Sequence, residues 1–187
     1  MFLRTERLFL RPPFPEDWRA IYRGVGDEDM VRMLASAPWP YTPADAREFC
    51  KGSAGPRNGR FVVTLPTRTG APVIGTAGFA VEAGSAEIGY WIARAYQCRG
   101  YATEAVRGLL GLLCALGHRR VAAGHFIDNP ASGRVLAKAG FRKTGQIVLA
   151  GSAGRGGELT PMQRYAIELD GDIPRPLPGR GGMLAAA

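Results

Sequence analysis

The clearest periodic stretch lies in the middle of the chain. Ala102, Ala105, Val106, Leu109, Leu113 and Leu116 form one apolar stripe at helical spacing, and Gly117 follows as a natural stop. The spacing predicts a helix over 101–116. Before it, the pattern has the period of strands. Residues 60–65, 72–80 and 86–92 are short runs separated by glycine and polar residues, with Thr67-Arg68-Thr69-Gly70 as one turn. They predict an antiparallel meander. Residues 5–11 also alternate, with Leu8 and Leu10 facing one way and Phe9 and Arg11 the other. This first strand is expected to end at Pro12-Pro13.

Helix-start signals fill the space between. Pro15-Glu16-Asp17-Trp18 puts a proline in a first turn and acids near its positive end. That helix is expected to reach about Arg23 and to break at Gly24 and Gly26. Residues 27–34 predict a second, short helix. Thr42-Pro43-Ala44-Asp45 reads as a cap, a first-turn proline and an acid, opening a helix to about Lys51. Beyond the long helix, 120–125 is a strand. Asn129-Pro130-Ala131-Ser132 opens a helix closed by Gly140. Residues 142–149 and 162–169 are the last strands, joined by a glycine-rich loop at 151–157. The order predicts one mixed α/β domain over 1–170, with 171–187 as a C-terminal tail.

Composition narrows the function classes. Hydrophobic residues make up 46% and charged residues 21%, near globular averages. No apolar run is long enough to span a bilayer, and the charged start MFLRTERLFLRP lacks the apolar centre of a secretion signal. A cytoplasmic location without a membrane partner is expected. The net charge of +8 comes from 24 basic residues, 21 of them arginines, scattered without a dense run. A nucleic-acid footprint would be clustered, so no nucleic-acid partner is expected, although a basic surface favours a phosphate-bearing ligand. Cys50, Cys98 and Cys114 are far apart, and His118 and His125 are the only histidines. This argues against a disulfide framework and against a metal site.

One loop carries candidate chemistry. In QCRGYATEA, residues 97–105, a glycine stands between a strand and the long helix. A helix N-terminus leaves backbone N–H groups unpaired and adds partial positive charge, and a glycine lets the backbone approach a phosphate. Arg99, Gly100, Tyr101, Ala102 and Thr103 supply such groups in succession. An ordinary strand-to-helix turn fits the same letters. Neither GxGxxG nor GxxxxGK[ST] is present. Downstream, Asn129 reads as a helix cap, with Ser132 in the first turn.

Taken together, these segments resemble the GNAT superfamily of N-acetyltransferases, in particular its RimJ/RimL-like group. The matching pieces are Gln97-Cys98-Arg99-Gly100-Tyr101-Ala102 for the Q/R-x-x-G-x-G/A loop, Glu87 to Trp91 for E-I-G-Y-W, and Ala102 to Ala105 for A-T-E-A. Asn129-x-x-Ser132, Gly140-Phe141 and the opening Thr5 to Pro12 also match, so the likeness runs over about 2–169. The resemblance implies a mostly antiparallel central sheet flanked by helices, with a splayed parallel strand pair at the cofactor cleft. That pair would be 86–92 and 120–125.

It also implies acetyl-CoA as acyl donor, no metal, and a primary amine acceptor on a protein N-terminus or a small molecule. The family's loop holds the pyrophosphate, which falls here on Gln97, Arg99, Gly100, Tyr101, Ala102 and Thr103. The amine must be neutral to attack, so a base is needed. Glu87 is the best-placed carboxylate, with an ion pair to an arginine as its plain alternative. A backbone N–H near Trp91-Ile92 would stabilise the oxyanion. Ser132 would serve the departing thiolate, and Asn129 would fix the loop or touch the pantetheine amide. Trp39, Tyr41 and 151–157 are candidate acceptor walls, with core or hinge packing as the alternative for the two aromatics. A non-catalytic acyl-CoA-binding module would share all of this but the chemistry. Either a monomer or a homodimer is compatible.

Overall fold

The computed structural model describes residues 1–51, 55, 57–82 and 84–169. The expected tail at 171–187 lies outside the described residues. Among the described residues, eight strands form one sheet in the order β1-β2-β3-β4-β5-β6-β8-β7. They are β1 (Leu3–Arg4), β2 (Phe9–Arg11), β3 (Asn58–Thr64), β4 (Val73–Glu82), β5 (Ser85–Ile92), β6 (Arg120–Phe126), β7 (Arg142–Gly151) and β8 (Leu159–Glu168). Among the described residues only β5 and β6 run parallel; every other neighbouring pair is antiparallel. The predicted mixed sheet with one parallel pair is therefore present. The helices are α1 (Trp18–Val25), α2 (Glu28–Arg32), α3 (Pro43–Cys50), α4 (Tyr101–Ala115) and α5 (Pro130–Ala139).

Strand alternation sorts the side chains into two cores. On one face, Ala86, Ile88 and Ile92 of β5 join Ala105, Val106, Leu109 and Leu113 of α4 and Leu136 of α5. On the other, Ile21 of α1 and Ala46 and Cys50 of α3 gather with Val62, and Trp91 packs against them. Each fully buried aliphatic or phenyl side chain contributes about 1.5–3 kcal/mol relative to exposure.

Two expectations need correction. Residues 5–11 are not one strand. The chain turns at Thr5, whose N–H donates to Leu8 O at 3.0 Å, and only Phe9–Arg11 continues as β2. Leu8 and Leu10 are buried as the alternation required. Gly24 does not break α1, which runs to Val25. A Cβ at Gly24 would lie 2.7 Å from the Trp91 ring, so glycine serves close packing there, and the helix ends at Gly26. The Thr42 cap holds as predicted: its hydroxyl and the Asp45 carboxylate form a reciprocal capping box around Pro43.

Candidate functional site

The parallel pair is short. β5 and β6 share only the rungs Ala86↔Val121 and Glu87↔Ala122, and then diverge. Past that point β5 stays paired with β4 on its other side, through Gly75↔Ile92. Ala93 N donates to Ile74 O at 2.8 Å. Alternation then turns the Trp91 N–H toward β4 and the Tyr90 and Ile92 N–H groups toward the open cleft. Of the two residues expected to offer an oxyanion donor, Ile92 is the one facing the gap. Trp91 contributes packing instead, against α1.

β5 leads through one helical turn, Arg94–Tyr96, into the loop at 97–100 and then α4. Cys98 and Gly100 both have left-handed backbones, with φ of 60° and 82°. Gly100 is the N-cap residue of α4 and no side chain among the described residues caps this helix; the first helical bond is Glu104 N to Gly100 O at 3.0 Å. The N–H groups of Gly100, Tyr101, Ala102 and Thr103 therefore stand ahead of the helical ladder as donors. Gln97 works inside the loop: its Nε2 donates to Ile92 O at 2.9 Å and pins the loop to the end of β5.

A clamp that sequence reading missed holds this loop. Glu104 Oε1 accepts from Thr5 Oγ1 at 2.6 Å and from Arg7 N at 2.7 Å, and Oε2 accepts from Arg7 Nε at 2.7 Å. Arg7 Nη1 donates to Arg99 O at 3.1 Å, and its guanidinium lies 4.7 Å from the Tyr101 ring centroid. Burial raises the Glu104 carboxyl, but the bonds from Thr5 and Arg7 outweigh it and hold the group below the usual carboxylate range. The available signal was a lone acid in the first turn of an apolar helix, together with the Thr5-Glu6-Arg7 start.

β6 leads into α5. Here Asn129 caps the helix, Oδ1 accepting from Ser132 N at 3.2 Å. Ser132 Oγ lies 2.9 Å from the Tyr90 hydroxyl, which also donates to Ser132 O at 3.2 Å. This bridge spans from β5 to α5 beyond the last parallel rung. Burial pushes the Tyr90 hydroxyl up to about 12, against a small lowering by Ser132. Tyr90 is thus a neutral hydroxyl at ordinary pH, and it is a second site residue the sequence reading missed.

Glu87 points to the opposite face of the sheet. Arg164 of β8 grips it with two bonds, Nη1 to Oε1 at 2.6 Å and Nη2 to Oε2 at 2.8 Å. The arginine pair foreseen as the plain alternative is present. A Cβ at Gly89, two residues on, would meet nothing within 4 Å, so the sheet is open in front of this pair.

Helix α2 bridges the diverging ends. Arg94, just past β5, donates to Asp27 and Asp29 at 2.9 and 3.3 Å. Arg155, in the β7–β8 loop, donates from Nη2 to Asp128 just past β6 at 2.8 Å and from Nε to Arg32 O at 3.0 Å. Ser152 Oγ donates to Leu34 O at 3.0 Å. A depression of about 380 Å³ lies along this bridge, lined by Glu28, Arg32, Trp39, Gly154, Arg155, Gly156 and Glu158. Trp39 is a wall residue there, whereas Tyr41 packs against the core of α1 and α3. A similar depression at the far end of β5 and β6 is lined by Gly117 and Arg119 and is remote from the splay. No group of three potential metal ligands occurs among the described residues, and no described helix is long and apolar enough to cross a membrane.

The acetyltransferase (GNAT) domain model matches residues 7–142. The uncharacterised N-acetyltransferase YnaD of Bacillus subtilis (strain 168) is 30% identical over 148 residues, covering 78% of this chain and 85% of that protein. The crystal structure of a GNAT-family acetyltransferase from Bacillus anthracis superposes with a TM-score of 0.75 at 28% identity, over 90% of this chain and 98% of that one. RimL, a ribosomal L7/L12 alpha-N-protein acetyltransferase solved with coenzyme A, shares the fold with a TM-score of 0.74 at 20% identity, over 92% and 100% of the two chains. A domain model spanning most of the chain and a 30%-identical relative agree with the splayed sheet, and this chain belongs to the GNAT family of acetyltransferases.

Proposed function

We propose that the protein transfers an acetyl group from acetyl-CoA to a primary amine, on a protein N-terminus or a small molecule. The observation that carries this reading is the uncapped, glycine-led start of α4 beside the open end of the β5–β6 pair. The Gly100 backbone leaves room for close approach, and Arg99 adds charge, so the residues present fit a pyrophosphate. RimL, which shares this fold, was solved with coenzyme A. Bound there, acetyl-CoA supplies a thioester carbonyl as the acyl source.

The chain's own residues divide the remaining work. The N–H groups from Gly100 to Thr103 hold phosphate oxygens. The Ile92 N–H offers a hydrogen bond to a carbonyl oxygen in the cleft. Ser132, oriented by Tyr90 and by the Asn129 cap, offers its hydroxyl as a hydrogen bond to the departing thiolate, which takes its proton from solvent. Glu87 receives the amine proton through a water. Both its oxygens already accept from Arg164, but each keeps a lone pair toward solvent. α2 and the β7–β8 loop wall the acceptor side.

Calorimetric titration with acetyl-CoA is the primary test, and absence of binding at millimolar ligand overturns the reading. A thiol-release assay over a panel of amines then identifies the acceptor. Glu87→Gln is expected to lower kcat about 100-fold while leaving acetyl-CoA affinity intact. The Glu87–Arg164 pair also favours a second reading, a non-catalytic acyl-CoA-binding module. Tight binding with no turnover on any amine would select it.

A further inference from the structure

The grip of Arg164 on Glu87 uses one edge of the guanidinium. Nη1 and Nη2 each give a hydrogen to a different carboxylate oxygen, at 2.6 and 2.8 Å. Met162 Sδ lies 3.8 Å from Nη1 and takes up its other hydrogen. A guanidinium carries five N–H donors in a fixed fork. Nε and the second hydrogen of Nη2 therefore form a further two-donor edge, and among the described residues that edge meets no acceptor. The group is held in place. Gly124 stands opposite Arg164 on β6, and a Cβ there would lie 3.2 Å from Nη1 and 2.6 Å from Met162 Sδ. The Arg164 side chain keeps 23% of its surface exposed, on the face left open at Gly89.

Charge makes the spare edge informative. Glu87 and Arg164 are neutral as a unit, so a polycationic acceptor meets a carboxylate that is already matched. An uncharged acceptor leaves the spare donors without an anion. A planar edge of two charged donors suits a carboxylate, bound by two parallel hydrogen bonds.

We propose that the acceptor is an α-amino acid, whose carboxylate docks on the Nε–Nη2 edge of Arg164 while its amine faces Glu87. This rests on the acetyl-transfer reading above. The spare edge and Glu87 flank one guanidinium, so the anion and the amine are only a few bonds apart, as they are on a single α-carbon. Opposite charges then alternate around the cluster. The ammonium gives one proton through water to Glu87 and becomes the nucleophile. Its nitrogen bonds the acetyl carbon, the C–S bond breaks, and the second proton passes to solvent, which protonates the thiolate.

A thiol-release panel on the wild-type chain tests this. It pairs common α-amino acids with their carboxamides and with the corresponding decarboxylated amines, and adds spermidine and a short peptide. At least one amino acid is expected to exceed its amide and its decarboxylated amine about 10- to 100-fold in kcat/KM. Amine ionisation works the other way, because a neighbouring carboxylate holds the amine in its charged form. Arg164→Lys keeps the charge without the fork, and is expected to lower that preference at least about 10-fold, mainly through KM for the amino acid. Calorimetry with acetyl-CoA checks that the variant is folded. If acetyl-CoA binds and the amides, the peptide or spermidine are turned over as well as the amino acids, the proposal is overturned and the acetyl-transfer reading stands. A preference that survives Arg164→Lys also overturns the proposal. Absence of acetyl-CoA binding overturns both.

Discussion

α4 and α5 begin alike and are finished differently. Each follows one of the two diverging parallel strands, and each ends near a left-handed glycine, Gly117 after α4 and Gly140 after α5. At α5, Asn129 satisfies the first turn with its own Oδ1. At α4, Gly100 brings no side chain, and the first-turn donors face outward. Helix starts ordinarily recruit a capping side chain because unpaired donors are unfavourable. A start that omits the cap, in a backbone few residues other than glycine adopt, relies on an acceptor from outside the chain. One helix start is complete as folded, and the other is left open, as the proposed binding of acetyl-CoA requires.

Substitutions that exchange these two properties break the comparison. Gly100→Val is expected to have the largest effect. The left-handed backbone and the added branch together cost about 1–3 kcal/mol, so acetyl-CoA affinity falls roughly 10- to 100-fold by calorimetry. Unchanged affinity would show that the open start does not hold the ligand.

Glu104→Gln comes next. It removes charge-assisted bonds to a largely buried acid and is expected to cost about 1.5–3 kcal/mol of stability in urea titrations. Its pH dependence has a fixed sign. Because the folded carboxyl lies below its unfolded value of about 4.3, its stabilisation is present above that value and is lost as pH falls through the folded one. Wild type should therefore lose more stability than the variant on acidification from about pH 5.

Asn129→Ala removes the cap and should cost about 1 kcal/mol, a shift of roughly 2–4 °C in Tm, with acetyl-CoA affinity preserved. A large loss of affinity here would erase the distinction between the two starts. Tyr90→Phe is expected to be smallest, about 0.5–1.5 kcal/mol in stability, through the lost bond to Ser132.

Much of this contrast was legible in the sequence, because caps and glycines act locally. Asn129, Gly140, Thr42 with Asp45, and Gly100 all sit where residue type predicted, whereas the parallel pair followed from the family resemblance and not from the strand pattern. Long-range partners were not legible. Glu104 reads as one more acid in a first turn until the fold brings Thr5 and Arg7 to it. Tyr90 reads as a strand aromatic until α5 sets Ser132 beside its hydroxyl. Gly24 was misread as a breaker because the Trp91 ring that requires it comes from another element. The pairing of Glu87 with Arg164 was foreseen in kind but not in partner, since that is set by β8 lying beside β6.

The clamp on Glu104 has a consequence for biogenesis. Its partners lie 97 and 99 residues away, at the very start of the chain. Translation at about 5–20 residues per second leaves Thr5 and Arg7 waiting several seconds before Glu104 emerges. The loop at 97–100 therefore cannot lock until Thr5 and Arg7 have met the later helix. Only a chain whose two distant segments have met presents a fixed loop ahead of α4.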